Sequence, residues 1–165
     1  MLDLRATTLL LTVLLCGCTG VRVQSDYAAG TDFRSFETYA WLPHEDRDAS
    51  DPLLEERVQR AVDGELTAKG MRRVPPNEAS LLVTYRVAVE EKVQVNDPYY
   101  ATFQFETYEQ GTLFVDLVDP KANLLVWRGV GETRLKHQKT PEERTERVRE
   151  VVEAILEQYP PRPKS

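Results

Sequence analysis

The strongest nucleophiles in this sequence are two thiols, Cys16 and Cys18, one residue apart near the start of the chain. A thiolate alkylates readily, so a cysteine at a processing site can take a thioether-linked group. Other chemistry is harder to find. The two histidines, His44 and His137, both fall in polar stretches. A metal site would need carboxylates or a third ligand brought to them. His44-Glu45-Asp46 lacks the four-residue spacing that sets two histidines on one helical face, so exposed loop histidines are the simpler reading. No G-x-S-x-G nucleophile turn occurs. Gly129-Val130-Gly131 lacks the later glycine, and the lysine or helix after it, that a phosphate-cradling loop needs. No catalytic constellation is written locally, and the expectation is a protein that is not an enzyme, with no cofactor and no metal.

Two groups of aromatic residues remain. Tyr27, Phe33, Phe36, Tyr39 and Trp41 sit among apolar and turn residues and read as core packing of the N-terminal segment, with a surface groove as the alternative. Tyr99, Tyr100, Phe103, Phe105 and Tyr108 fall within ten residues beside the Asn96-Asp97-Pro98 turn. An exposed segment of that kind makes Tyr99, Tyr100, Phe103 and Phe105 a candidate contact surface for a membrane or a partner.

The start of the chain returns to the thiols. Ala6 to Leu15 is an uncharged run, long enough for a secretory h-region and too short for a spanning helix of ~20 residues. Arg5 and the free amine give a weak positive n-region. Leu15-Cys16-Gly17-Cys18 then resembles a lipobox: a branched apolar residue, two small residues that can enter a narrow protease cleft, and a cysteine. That resemblance implies cleavage after Gly17, a diacylglyceryl thioether on Cys18, and usually acylation of the new amine, with no cofactor besides this covalent lipid. Several acyl chains anchor far more stably than one. Thr19 follows instead of the aspartate that retains lipoproteins at the inner membrane. In a Gram-negative host the implied destination is the outer membrane, facing the periplasm. Residues 1–17 are thus expected to be a signal peptide and 18–20 a lipidated start with a very short tether. Loss of Cys16 and alkylation of Cys18 would leave the domain without a disulfide, so packing must stabilise it. The net charge of −6 argues against nucleic acid and against a broad face for anionic lipids.

These features need a fold to position them. Val21-Arg22-Val23-Gln24 alternates as a strand, Phe33–Phe36 reads as a short helical turn, and Thr38–Leu42 as a strand. Asp51 can cap a helix with Pro52 at its first position, Leu54, Val58, Ala61, Val62 and Leu66 on one face, and Gly70 at its end. Leu81 to Val95 is the clearest strand, with Leu81, Val83, Tyr85, Val87 and Val89 on one face. Tyr99 to Tyr108 alternates loosely and reads as strand or as loop. Thr112–Val118 and Leu124–Leu135 are strands joined by a turn at Asp119–Asn123, and Gly129 and Gly131 mark a bulge or a close backbone approach. Thr140-Pro141-Glu142-Glu143 opens a second helix with a capping box. Its buried stripe runs from Val148 to Tyr159, and its first two turns are polar. Pro160 to Ser165 is expected to be a disordered tail. Short turns between adjacent strands predict antiparallel pairing. The expected fold is α+β: a single domain over 21–159, a mainly antiparallel sheet with two amphipathic helices packed on one face, a two-layer sandwich.

Several segments together resemble the domain-of-unknown-function family 4136, found in bacterial lipoproteins. They are DYAAGTDFRSFETYAWLP, DPLLEERVQRAVDGELTAKGMRRV, LLVTYRVAVEEK, YEQGTLFVDLVDPKANLLVWRGVGE and PEERTERVREVVEAILEQYPP, in that order. The resemblance implies an envelope lipoprotein with a sheet covered by two helices, and it implies no activity. The reading that follows is a membrane-anchored, non-enzymatic binding or scaffold domain that engages the membrane through its anchor and another envelope protein as partner. Lipid or small-ligand binding between sheet and helices is the alternative.

Overall fold

The structure is a computed structural model that describes residues 20–42, 51–96, 104–135 and 140–161. In chain order the elements are β1 (Val21–Tyr27), β2 (Thr38–Trp41), α1 (Pro52–Ala68), β3 (Arg72–Arg73), β4 (Leu81–Asn96), β5 (Gln104–Asp119), β6 (Leu124–Arg134) and α2 (Pro141–Leu156). The six strands form one sheet in the order β1-β6-β5-β4-β2-β3. The class is α+β, as the sequence predicts, and the pairing is mixed. The ladders β1–β6, β6–β5 and β5–β4 are antiparallel. β2 runs parallel to both β3 and β4. The reason lies in the connection: α1 separates β2 from its neighbours, and a crossover through a helix returns the chain to the end from which it started. The expectation of a mainly antiparallel sheet is corrected at this edge: the sheet is mixed, with most of its ladders antiparallel.

Local chemistry starts and stops the helices. Asp51 accepts a hydrogen bond from the Leu53 amide (2.9 Å) and Pro52 begins α1. At its other end the Met71 amide reaches Leu66 O (3.0 Å) and the Gly70 amide reaches Thr67 O (2.9 Å). This paired closure requires a left-handed residue, and Gly70 has φ +86°. At α2 the Glu143 amide donates to Thr140 Oγ1 and the Thr140 amide to Glu143 Oε2, so the expected capping box is present. The Asp119 carboxylate accepts from the amides of Lys121 and Ala122 and fixes the β5–β6 turn.

Both helices contribute to one core with a single face of the sheet. Val58, Val62 and Leu66 of α1 and Val151, Val152, Ile155 and Leu156 of α2 meet Leu81, Val83, Leu113, Val115, Leu117 and Trp127. The indole Nε1 of Trp127 is buried with no hydrogen-bond partner among the described residues, a desolvation cost of about 1–3 kcal/mol. Gly129 and Gly131 prove to be close approaches. A Cβ on Gly129 would lie 2.4 Å from Ile155 Cγ2 and 2.4 Å from Trp127 Cη2. The register shift of β6 falls elsewhere, opposite Leu117/Val118.

Aromatic residues close the end of the core opposite the β4–β5 connection. Phe33 packs edge-on against Tyr27, Phe36 and Tyr159, and Tyr159 against Trp127. Burial pushes the Tyr159 phenol up to about 12. The Tyr39 phenol also stands at about 12, first through burial and then through the hydrogen bond it donates to Asp63. Both groups favour the protonated form in the folded state. Their contribution is therefore fully present below the ordinary tyrosine pKa of ~10 and is lost as pH rises through about 12. Thermal unfolding between pH 8 and 12 should show Tm falling from about pH 10 upward, with a shallower fall in Tyr159→Phe. An identical slope in that variant would contradict the assignment.

Candidate functional site

β4 and β5 are 16 residues each, and the helices cover only part of their length. On the helix-facing side of β4, Leu81 and Val83 are fully buried, whereas Val87, Val89 and Val93 are 43%, 57% and 62% exposed. The sequence reads Leu81, Val83, Val87 and Val89 as one apolar face, which they are, and Val93 continues it; the helix layer ends before the strand does. An apolar cleft of about 180 Å³ opens there between sheet and helices. Val87 and Val89 of β4, Gly111 and Leu113 of β5, and Gly131 and Thr133 of β6 make its floor. Leu54 and Val58 of α1 and Val148 and Val151 of α2 make its roof, with Leu135 closing the side. Two of the floor positions are glycines on neighbouring strands, and side chains pack tightly over both: a Cβ would meet Leu135 Cδ2 at 2.8 Å on Gly111 and Ile155 Cδ1 at 2.9 Å on Gly131.

Arg147 is the one ionisable residue among those that line the cleft. Its guanidinium donates to Thr133 Oγ1 and to Glu150 Oε2 (2.7 Å), which holds it at the rim. Arg57 of α1 donates to Thr145 Oγ1 of α2 (3.2 Å) and ties the two helices above the cleft. Such a site has little acid, base or nucleophile to offer and much apolar surface.

The floor has a further property. Val21 pairs with Thr133, Thr133 with Gly111, and Gly111 with Val89. A single row thus runs from the first residue of β1 across four strands to the far wall of the cleft. At ~4.8 Å per strand this row is about 14 Å long.

Polar clusters lie elsewhere. The Asp63 carboxylate of α1 accepts from Tyr39 Oη (2.9 Å), Trp41 Nε1 (2.9 Å) and Arg73 Nη1 (2.8 Å). These bonds clamp α1 to β2 and β3, and the carboxylate's acceptors serve the fold. On the opposite sheet face, Arg128 Nε and Nη2 meet Asp116 Oδ1 and Oδ2, each at 2.6 Å, a bidentate pair across β5 and β6. Among the described residues no three His, Cys, Asp or Glu side chains converge as metal ligands, and no helix is long and apolar enough to cross a membrane.

The site residues read from the sequence are placed as follows. Gly17, Cys18, Tyr99, Tyr100, Phe103 and both histidines lie outside the described residues. Phe105 belongs to β5, in register with Val95. From Gln104 on, the ambiguous segment is therefore strand. Tyr108 carries the Arg134 guanidinium 4.0 Å over its ring. The cleft itself escapes sequence reading, because alternation shows which face a residue is on but not whether a helix covers it.

Residues 23–161 match the sequence profile of a family described as a domain of unknown function, DUF4136. The chain belongs to that family. No curated protein matches the sequence. Among solved structures, this DUF4136 chain is similar to a PDZ domain protein from Parabacteroides distasonis ATCC 8503, with 17% identity and a TM-score of 0.61. That match covers 87% of this chain and 37% of the other, so the DUF4136 chain spans little more than a third of that protein. The likeness is one of fold. Two crystal forms of a PelC dodecamer from Paraburkholderia phytofirmans are more distant, at 12% and 11% identity and a TM-score of 0.49 each. They cover 82% of this chain and 96% and 94% of their own.

Proposed function

We propose that this DUF4136 protein is a membrane-anchored, non-enzymatic binding domain of the cell envelope that takes an apolar chain in the cleft between sheet and helices. The observation that carries the reading is the cleft's lining: Leu and Val side chains from the sheet and both helices, with a single ionisable group at the rim. The lipobox at Leu15–Cys18 supports the anchored location. An aliphatic chain is the ligand class that matches such walls, because dispersion and desolvation are the only interactions they offer in quantity. A void of about 150 Å³ is enough for benzene, so this one takes about six carbons of a chain. At ~0.8 kcal/mol per buried methylene that is roughly 5 kcal/mol. The cost of confining the chain is set against this, so the Kd is no tighter than about 0.2 mM.

The Cys18→Ala protein is the test. It should accumulate without lipid and uncleaved after Gly17; normal processing and retention in the membrane would overturn the anchor. Titrated with a fluorescent fatty acid, it should bind saturably in the sub-millimolar range. Val89→Asp sets a charge on the cleft wall at a half-exposed position, so Tm should hold while affinity falls tenfold or more. Saturable binding that ignores this substitution would place the ligand elsewhere.

A further inference from the structure

The cleft and Val21, the first residue of β1, lie at the same end of the sheet. Val21 sits one strand spacing from Thr133, which forms the cleft's near wall. Only Thr19 and Gly20 separate Cys18 from Val21. Three residues reach at most about 10 Å, and the row across the sheet from Val21 to Val89 is about 14 Å. A lipid on Cys18 is thus confined to the neighbourhood of the one apolar cleft described above. We propose that, off the bilayer, this cleft holds one acyl chain of the protein's own Cys18 lipid.

The inference rests on the apolar-chain reading of the cleft and adds its resident occupant. Covalent attachment through a short tether gives a local concentration on the order of millimolar. A free competitor at micromolar concentration meets the same cleft at a disadvantage, so the tethered chain fills the site first. The exposed Val93 continues the same face of β4 beyond the cleft and offers apolar surface to the part of the chain that the cleft is too small to hold. Insertion of the lipid into a bilayer, where the whole chain is solvated by other chains, empties the cleft. Anchoring and availability of the site become linked: the cleft opens to an external ligand only once the anchor is in a membrane.

Photo-crosslinking tests this on the lipidated full protein. With p-benzoylphenylalanine in place of Val89, irradiation in detergent-free buffer should join the peptide that carries position 89 to the Cys18 lipopeptide. The same group in place of Glu90, on the opposite sheet face, should give less than a tenth of that product. A mixture of ¹⁵N-labelled and unlabelled protein identifies the donor: matched labels mean the molecule's own chain, and mixed labels, meaning a neighbour's chain, overturn the proposal. Incorporation into phospholipid vesicles should reduce the position-89 product at least tenfold. No lipopeptide product in buffer, equal yields at positions 89 and 90, or an undiminished yield in vesicles would each overturn it. Fatty-acid binding by the Cys18→Ala domain, measured alongside, shows whether the binding reading survives such a failure.

Discussion

Gly129→Ala should lower the free energy of unfolding by about 3 kcal/mol, near the top of the range for overpacking a close-packed core. The added methyl would sit 2.4 Å from Ile155 Cγ2 and 2.4 Å from the Trp127 ring, well inside van der Waals contact. Neither neighbour can yield cheaply. Both are fully buried, and the Trp127 ring is wedged edge-on against Tyr159 at 5.4 Å. The strain must move α2 away from β6, and every α2 contact with the sheet loosens with it. For a domain of this size the loss corresponds to a fall in Tm of roughly 6–12 °C. Ile155→Ala removes the clashing methyl, so the double variant should be less destabilised than the sum of the two single changes by a kcal/mol or more, in the range seen for residues in contact. Strict additivity would show that α2 is not seated over Gly129.

Asp63→Ala carries an effect of similar size by a different route. It leaves the Tyr39 hydroxyl and the Trp41 indole N–H without their acceptor, and Tyr39 is only 1% exposed. Stranding such donors costs about 1–3 kcal/mol each. The Arg73 bond adds less, because Arg73 is 55% exposed and its charge is screened. A loss of about 3 kcal/mol in urea unfolding is expected, with m unchanged. Asp63→Asn keeps an acceptor for both buried donors and should cost much less. It also separates the two causes that raise the Tyr39 phenol: burial remains, while the charge and the charged hydrogen bond disappear. Spectroscopic titration of that variant should therefore find Tyr39 ionising below about 12 but still above a free tyrosine. An unchanged titration would mean that burial acts alone.

The parts of this fold that local chemistry dictates are legible in the sequence. Thr140-Pro141-Glu142-Glu143 can hardly be anything but a helix start, and Gly70 hardly anything but a helix end. Leu81 to Val89 shows its faces by alternation alone. Legibility fails where the deciding factor is nonlocal. The parallel pairing of β2 depends on where α1 returns the chain, which no local pattern in β2 shows. Gly129 and Gly131 announce that something comes close without saying that it is Ile155. Asp63 reads as one more polar residue on α1 until Tyr39 and Trp41 arrive from another strand. The cleft is the extreme case. Val87 and Val89 carry the same signal as Val83, and only the length of the helix layer separates wall from core. The candidate contact residues Tyr99, Tyr100 and Phe103 lie outside the described residues. The residues that line the cleft are, by contrast, plain apolar bulk.

The most direct test of the cleft as a binding site is methyl NMR of the Cys18→Ala domain titrated with dodecanoate. The expected result is saturable shifts and chain-to-protein NOEs confined to Val87, Val89, Leu113, Val148 and Val151. Leu124 and Leu125, which are exposed at the other end of the sheet, act as the internal control and should stay unmoved. Shifts that grow linearly without saturating, or that appear equally at Leu124 and Leu125, would show that the cleft is surface and not a site.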